Sequence, residues 1–188
     1  MNEAEIVRRV LNGDVNAFAR LVDAHGALVL YIALKHVPRD KAAELAHETF
    51  VRAFEKLGTF RGDKPFSHWL ARIAISRCAE YWRGRQRNRE DAVSSLSQDC
   101  RDWIETVCAG GGEANTETLA ERSEARLLLD WALGQLSPDD RLVLTMTHLG
   151  GQALEEVAGL MGWSVSKVKV RSHRARRKLR ELLGRLLD

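Results

Sequence analysis

Apolar positions recur every three or four residues along most of this chain, the spacing of helices that bury one face. Ala17, Phe18, Leu21 and Val22 follow Asp14, a good N-cap, and predict a first helix. A second apolar helix is predicted from about Ala27 to His36, with Pro38 beyond it. Asp40 is expected to cap a long helix reaching about Leu57, whose Ala42, Leu45, Ala46, Thr49, Phe50, Ala53, Phe54 and Leu57 share a face, with Gly58 ending it. Phe60 to Lys64 reads as a loop. Asp63 and Pro65 then start a helix carrying Phe66, Trp69, Leu70, Ile73, Ala74, Tyr81 and Trp82, because proline is tolerated where its missing N–H is not needed.

Periodicity fades from Asn88 to about Thr118, and Gly110-Gly111-Gly112 frees the backbone there. The stretch reads as a linker, with a short helix around Trp103 to Val107. A loop of this length is more at home between domains than inside one. Helical patterning resumes over Glu121 to Leu136, with Leu127, Leu128, Trp131 and Leu133 available for burial. Ser137-Pro138-Asp139-Asp140 is a helix-start signal for a segment reaching Leu149. After Gly150-Gly151 come a short helix, Leu154 to Met161, a turn at Gly162-Trp163-Ser164, and a long basic helix from Val165 to Leu187. The expected fold is all-α: two small helical domains, 1–88 and 121–188, joined by a linker over 89–120.

The net charge of +3 says little, but its distribution says more. Arg72, Arg77, Arg83, Arg85, Arg87 and Arg89 face only Glu80 along one stretch. Lys167, Lys169, Arg171, Arg174, Arg176, Arg177, Lys178 and Arg180 crowd another, and the segment between is acidic. Two basic surfaces around an acidic connector suit two contacts with a polyanion, although either run alone also fits a solvated helix face. The three cysteines, Cys78, Cys100 and Cys108, are odd in number and lack a CxxC spacing. Neither a disulfide framework nor a zinc site is indicated, and a reducing cytoplasm fits. The longest apolar run, Ala27 to Leu34, stops at Lys35, short of the roughly 20 residues of a membrane span. The N-terminus lacks signal-peptide patterning. A cytoplasmic chain without direct membrane insertion is expected.

The strongest motif is Leu154 to Lys169. Ala158 is small where two helices must approach, Gly162 permits the turn, and Val157, Met161, Trp163 and Val168 suit a shared core. Such a helix-turn-helix presents Lys167, Lys169, Val170, His173 and Arg174 outward, placed for the major groove. An ordinary helical hairpin is the plainer reading, but the following Arg174-Ala175-Arg176-Arg177-Lys178 favours DNA.

Leu136-Ser137-Pro138-Asp139-Asp140-Arg141-Leu142-Val143-Leu144, this helix-turn-helix, and Lys169-Val170-Arg171-Ser172-His173-Arg174-Ala175-Arg176 together resemble region 4 of extracytoplasmic-function sigma factors of the sigma-70 family. Asp14 to Phe18, Ala43 to Phe54, Phe60-Arg61-Gly62-Asp63 and Phe66 to Ala74 resemble region 2. The resemblance covers nearly everything except the linker. It implies a non-enzymatic subunit that binds core RNA polymerase, reads promoter DNA and helps melt it, with no cofactor, metal or catalytic residue. Glu44, His47, Glu48 and Arg52 would dock on the clamp helices of the β′ subunit. Phe60, Arg61, Arg72, Ile73 and Ser76 would take the minus-ten element. Lys167, Lys169, Val170, Arg171, His173, Arg174, Arg177 and Lys178 would take the minus-thirty-five element, with region 4 also meeting the β flap. An anti-sigma factor is a further implied partner, controlling a stress or envelope-signal response.

The chemistry is sensible without the family, since opened DNA leaves bases unstacked and aromatic pockets flanked by Arg can capture them. Trp69 is nevertheless expected mainly in the core and Phe60 mainly at the site. His47 stands where the family usually has Gln, and Ser76 where it often has Asn. Val170 and Ser172 reverse a polar-then-apolar order, which places Val170 toward DNA and leaves Ser172 as a packing fault.

Two other classes compete. Glu44-x-x-His47 has the spacing of half a di-iron site, but no second Glu-x-x-His exists, and His47-Glu48 lacks the second His of a zincin. A stand-alone helix-turn-helix regulator would share the C-terminal signals, but would leave Phe60-Arg61-Gly62-Asp63 and the basic aromatic helix after it unexplained.

Overall fold

The structure is a computed structural model describing residues 3–91 and 131–187. The described residues fall into two compact units, 3–81 with 152–165, and 82–91 and 131–151 with 166–187. All regular structure among them is helical.

In the first unit α1 (Glu3–Leu11), a 3-10 turn (Val15–Ala17), α2 (Phe18–His36), α3 (Arg39–Glu55) and α4 (Phe66–Asp91) follow one another, with a second 3-10 turn at Leu57–Thr59. α1 was not anticipated, although Ile6, Val7 and Val10 are spaced for one face and all three are buried. Asp14 does not cap a helix. Its carboxylate accepts from Arg9 Nε at 3.0 Å and precedes the 3-10 turn. The two helices expected over 14–36 are one, running through Gly26. A mid-helix glycine costs about 1 kcal/mol, which burial of Phe18, Leu21, His25, Val29 and Ala33 along a single stripe offsets. By length and composition alone, Val15–His36 is apolar enough to cross a bilayer, but this stripe faces the protein core, while Leu30, Tyr31 and Leu34 are exposed.

Asp40 lies in the first turn of α3 rather than at its cap, which is Pro38. Pro65 immediately precedes α4, and its carbonyl accepts from the amides of His68 and Trp69. The core joins Ile6, Val10, Leu21, Val29, Phe50 and Leu57 to Phe66, Leu70 and Ala74 of α4. Thr49, fully buried in this apolar setting, donates its hydroxyl to the Leu45 carbonyl at 2.8 Å, so no polar group is stranded.

α4 also buries Cys78 completely, and that burial pushes its thiol up to about 12. Because the thiolate is the reactive species, Cys78 should resist iodoacetamide at pH 8 in the folded chain. Alkylation on the order of a thousandfold slower than in denatured protein follows from the lost thiolate fraction, and mass spectrometry of the Cys78 peptide would measure it. Equal rates would place the thiol at the surface.

In α6 (Leu154–Met161), Val157 and Ala158 are buried. The helix stops because Gly162 adopts φ +67°, a conformation glycine enters without the Cβ penalty. The amide of Trp163 closes the turn on the Ala158 carbonyl at 2.9 Å.

The second unit contains the end of α4, helical residues 131–134, α5 (Pro138–Leu144), a π turn (Thr145–Leu149) and α7, Val165–Leu187, from Ser166 onward. Ser137 caps α5 as expected, its hydroxyl accepting from the Asp140 amide at 3.2 Å with Pro138 in the first turn. Leu133, Leu136 and Leu144 pack with Ala175, and Leu179 covers them. α4 runs past the expected boundary at 88 to Asp91. The rest of the expected linker, the short helix around 103–107 and the start of the helix from Glu121 lie outside the described residues.

Candidate functional site

Three exposed surfaces carry the residues singled out in the sequence. The first is the outer face of α3. Ala42, Leu45, Thr49, Phe50 and Ala53 turn inward, so helical geometry sends Glu44, His47, Glu48 and Arg52 outward. Each of three charges there has a partner. Glu44 accepts from Lys41 at 3.0 Å, which holds the Lys41 ammonium above its usual range. Arg52 pairs with Glu55 at 2.9 Å. Glu48 pairs with Arg77 of α4, whose guanidinium is raised by that hydrogen bond above all. Val51 and Phe54 add exposed apolar area to this helix. The sequence reading placed Phe54 inside, and it is held instead by an edge contact with Phe18 at 5.1 Å.

The second surface surrounds the loop before α4, where Gly62 turns with φ +77°. Phe60 is less detached than expected. Its ring lies 5.4 Å from that of Phe66 and 5.5 Å from that of Trp69, in tilted and edge-on contacts. Phe66 is buried at 1% exposure and also meets His25, which pairs with Glu3. Phe60 and Trp69 are both partly buried against this core, so the expected division between a site residue and a core residue is not sharp. The local sequence could not reveal this, because His25 and Phe66 are brought together only by the fold. Along α4, Arg72 and Ser76 are exposed and Ile73 is half-buried, while Arg61 is exposed in the loop.

The third surface is on α7. Val168, Ser172 and Ala175 are buried, and Lys167, Lys169, Val170, His173 and Arg174 are exposed. Arg171 is half-buried and directed at Asp140, 2.9 Å away, and at Asp139, 3.7 Å away. It therefore braces α7 against α5. Lys178 donates to the Gln135 carbonyl at 2.9 Å, and Arg177 pairs with Glu181 at 3.4 Å. Ser172 is not a packing fault. Its hydroxyl lies 3.3 Å from that of Thr147 and 3.1 Å from His148 Nε2, so the buried polar atom is satisfied.

Among the described residues no group of three or more His, Cys, Asp or Glu side chains could hold a metal ion. The first unit offers a helix presenting carboxylates and an aromatic cluster flanked by exposed arginines, and the second unit offers a cationic helix.

Comparison with known proteins identifies the family. Residues 21–88 match the family model described as Sigma-70 region 2, and residues 126–179 match Sigma-70, region 4. The RNA polymerase sigma-H factor of Pseudomonas aeruginosa is 31% identical over 98% of this chain and 95% of its own length. The ECF RNA polymerase sigma-E factor of Escherichia coli K12 is 29% identical over 94% of this chain and 91% of its own. Among solved structures, CnrH in complex with the cytosolic domain of CnrY is 26% identical with a TM-score of 0.54, covering 95% of each chain. The sigma factor RpoE of Bartonella quintana, in complex with the anti-sigma factor NepR, shares the fold at 23% identity and a TM-score of 0.50, over 89% of this chain and 96% of its own. The chain belongs to the sigma-70 family of RNA polymerase sigma factors, within its extracytoplasmic-function group.

Proposed function

We propose that this chain is an alternative sigma factor that binds core RNA polymerase and directs promoter-specific initiation, with no enzymatic step of its own. The observation that carries this is the order of the two family matches along nearly the whole length of its relatives. It supports a polymerase- and minus-ten-binding domain over 1–88 and a minus-thirty-five-binding domain over 121–188. The solved relatives bound to CnrY and NepR support an anti-sigma partner, which could hold a cytoplasmic chain near the membrane without insertion. Run-off transcription with core polymerase and a promoter library is the direct test. Specific initiation only when both are present is expected, and sequence-specific duplex binding by the chain alone would instead favour a stand-alone regulator.

Each surface has a role in this reading. The outer face of α3 meets the β′ clamp helices through Glu44, His47, Glu48 and Arg52. Phe60, Arg61, Arg72, Ile73 and Ser76 receive the opened minus-ten strand, with stacking on Phe60 as the main attraction. On α7, Lys167, Lys169, Val170, His173 and Arg174 lie over the upstream element, and Val170 suits a thymine methyl. Arg171, Arg177 and Lys178, each already paired within the protein, act at the phosphates if they meet DNA.

Arg174 is exposed, and its planar fork can reach guanine O6 and N7 together, which a lysine cannot. Arg174→Ala should therefore change which upstream base is tolerated, with discrimination falling by about 1–3 kcal/mol. Lys178→Ala should weaken all sequences alike and lower the salt slope. Selection of upstream elements with each variant separates the two. Uniform weakening by Arg174→Ala would make Arg174 a phosphate contact.

A further inference from the structure

α2 carries two apolar stripes. Leu21, His25, Val29 and Ala33 fill the core along one side. Ala27, Tyr31 and Leu34 lie on the opposite side, with Leu30 at its margin, because residues three, four and seven apart share a helix face. This second stripe stands in solvent. Leu30, Tyr31 and Leu34 are 39%, 56% and 46% exposed, and Ala24 and Ala27 are exposed beside them. A helix that is apolar all round belongs in a large core or against lipid, and here the core takes only one side. The face is also cationic at one end. No acid occurs from Ala24 to Arg39, whereas Lys35 and Arg39 are both exposed. Lys35 Nζ lies 4.7 Å over the Tyr31 ring, which keeps an ammonium at the edge of the stripe. Lys41 is engaged by Glu44 and adds no net charge.

We propose that this face of α2 docks the chain on an anionic phospholipid surface, lying along the bilayer rather than across it. A stripe opposite the core is the crest of its helix. A fluid interface receives such a ridge along its length, whereas an amphipathic helix of a protein partner seeks a groove. An apolar face of leucine and an aromatic ring, edged by lysine and arginine, is the composition of interfacial helices. Tyrosine suits the headgroup level, and the lack of acids lets negative headgroups approach the two cations. Val15–His36 is long and apolar enough to cross a bilayer, but Leu21, His25, Val29 and Ala33 are committed to the core, so crossing would unfold the first unit. The contact is therefore shallow and reversible. None of its residues is among those assigned to polymerase or promoter DNA, and a chain held in this way needs no membrane-spanning partner.

The test is flotation of the purified full chain with vesicles of phosphatidylglycerol and phosphatidylethanolamine, and with vesicles of phosphatidylcholine alone. Binding to the first is expected, about tenfold weaker on the second and weakened by added salt. α7 is basic too and attracts anions by charge alone, so the variants decide. Leu30→Gln with Leu34→Gln should lower binding about tenfold at every salt concentration, because apolar contact is not screened. Lys35→Glu with Arg39→Glu should lower it about as much on anionic vesicles and leave the weak binding to phosphatidylcholine unchanged. This second pair keeps the proposal testable if the first folds poorly. Run-off transcription without vesicles should be unchanged by Leu30→Gln with Leu34→Gln. Three results would overturn the proposal. One is no flotation of the parental chain. Another is full flotation of both α2 variants, with loss only in Lys169→Glu with Arg174→Glu. The third is reduced pull-down of core polymerase by Leu30→Gln with Leu34→Gln, which would make the face a protein contact.

Discussion

Glu48→Lys is expected to lower affinity for core RNA polymerase about a hundredfold, because it loses one attraction and creates one repulsion. Setting like charges against each other across an interface costs several kcal/mol and acts mainly on association and salt dependence when the charge lies at the rim. Within the chain the new ammonium would sit beside Arg77, now short of one of its two carboxylates. The fold should tolerate this. Glu48 is 44% exposed, and partly exposed pairs contribute about 1 kcal/mol or less. Circular dichroism should therefore be unchanged while pull-down of core polymerase fails, with the defect deepening at low salt, where like charges repel over longer distances. Normal pull-down across a salt series would remove Glu48 from the interface.

Leu70→Ala should destabilise the first unit by about 3–5 kcal/mol, the range for a leucine whose cavity cannot collapse. Leu70 has 0% exposure and packs in the cluster that holds Phe66 and Leu21. Helices α1 to α4 all contribute to that cluster, so no single one can move in to fill the gap. A loss of this size is a large part of the stability of a small domain and should lower its thermal midpoint by about 10 °C or more. Urea and thermal melts would read it directly. A loss below about 1 kcal/mol would mean that the surrounding helices do close over the missing side chain. Opening of promoter DNA should fall in parallel, because Phe60 and Trp69 rest on the same core.

The helix-turn-helix was legible because its punctuation is local. Gly162, the Ser137-Pro138 pair and the run of bases after Val165 each fix a boundary through backbone chemistry that neighbours do not alter. The N-terminal helices were harder to read. Gly26 and the polar His25 look like a break until Phe66 and Glu3 close over His25 from distant parts of the chain. Phe60 looked detached for the same reason, since its packing partners are set by how α4 returns across α2. Glu48 and Ser76 were visible as candidates. Arg77 was not, because its sequence context is a basic run, and its partner on α3 lies 29 positions away.

The buried hydroxyl of Ser172 bears on whether α7 can be exchanged among sigma factors. Its partners Thr147 and His148 come from the π turn, not from α7. A transplanted helix with valine at that position would leave the Thr147 hydroxyl with its Val143 carbonyl alone and strip His148 of its Ser172 contact. α7 is therefore not a self-contained cassette. A chimera that exchanges α7 should carry residues 145–149 with it, so that the polar atoms around position 172 keep their partners.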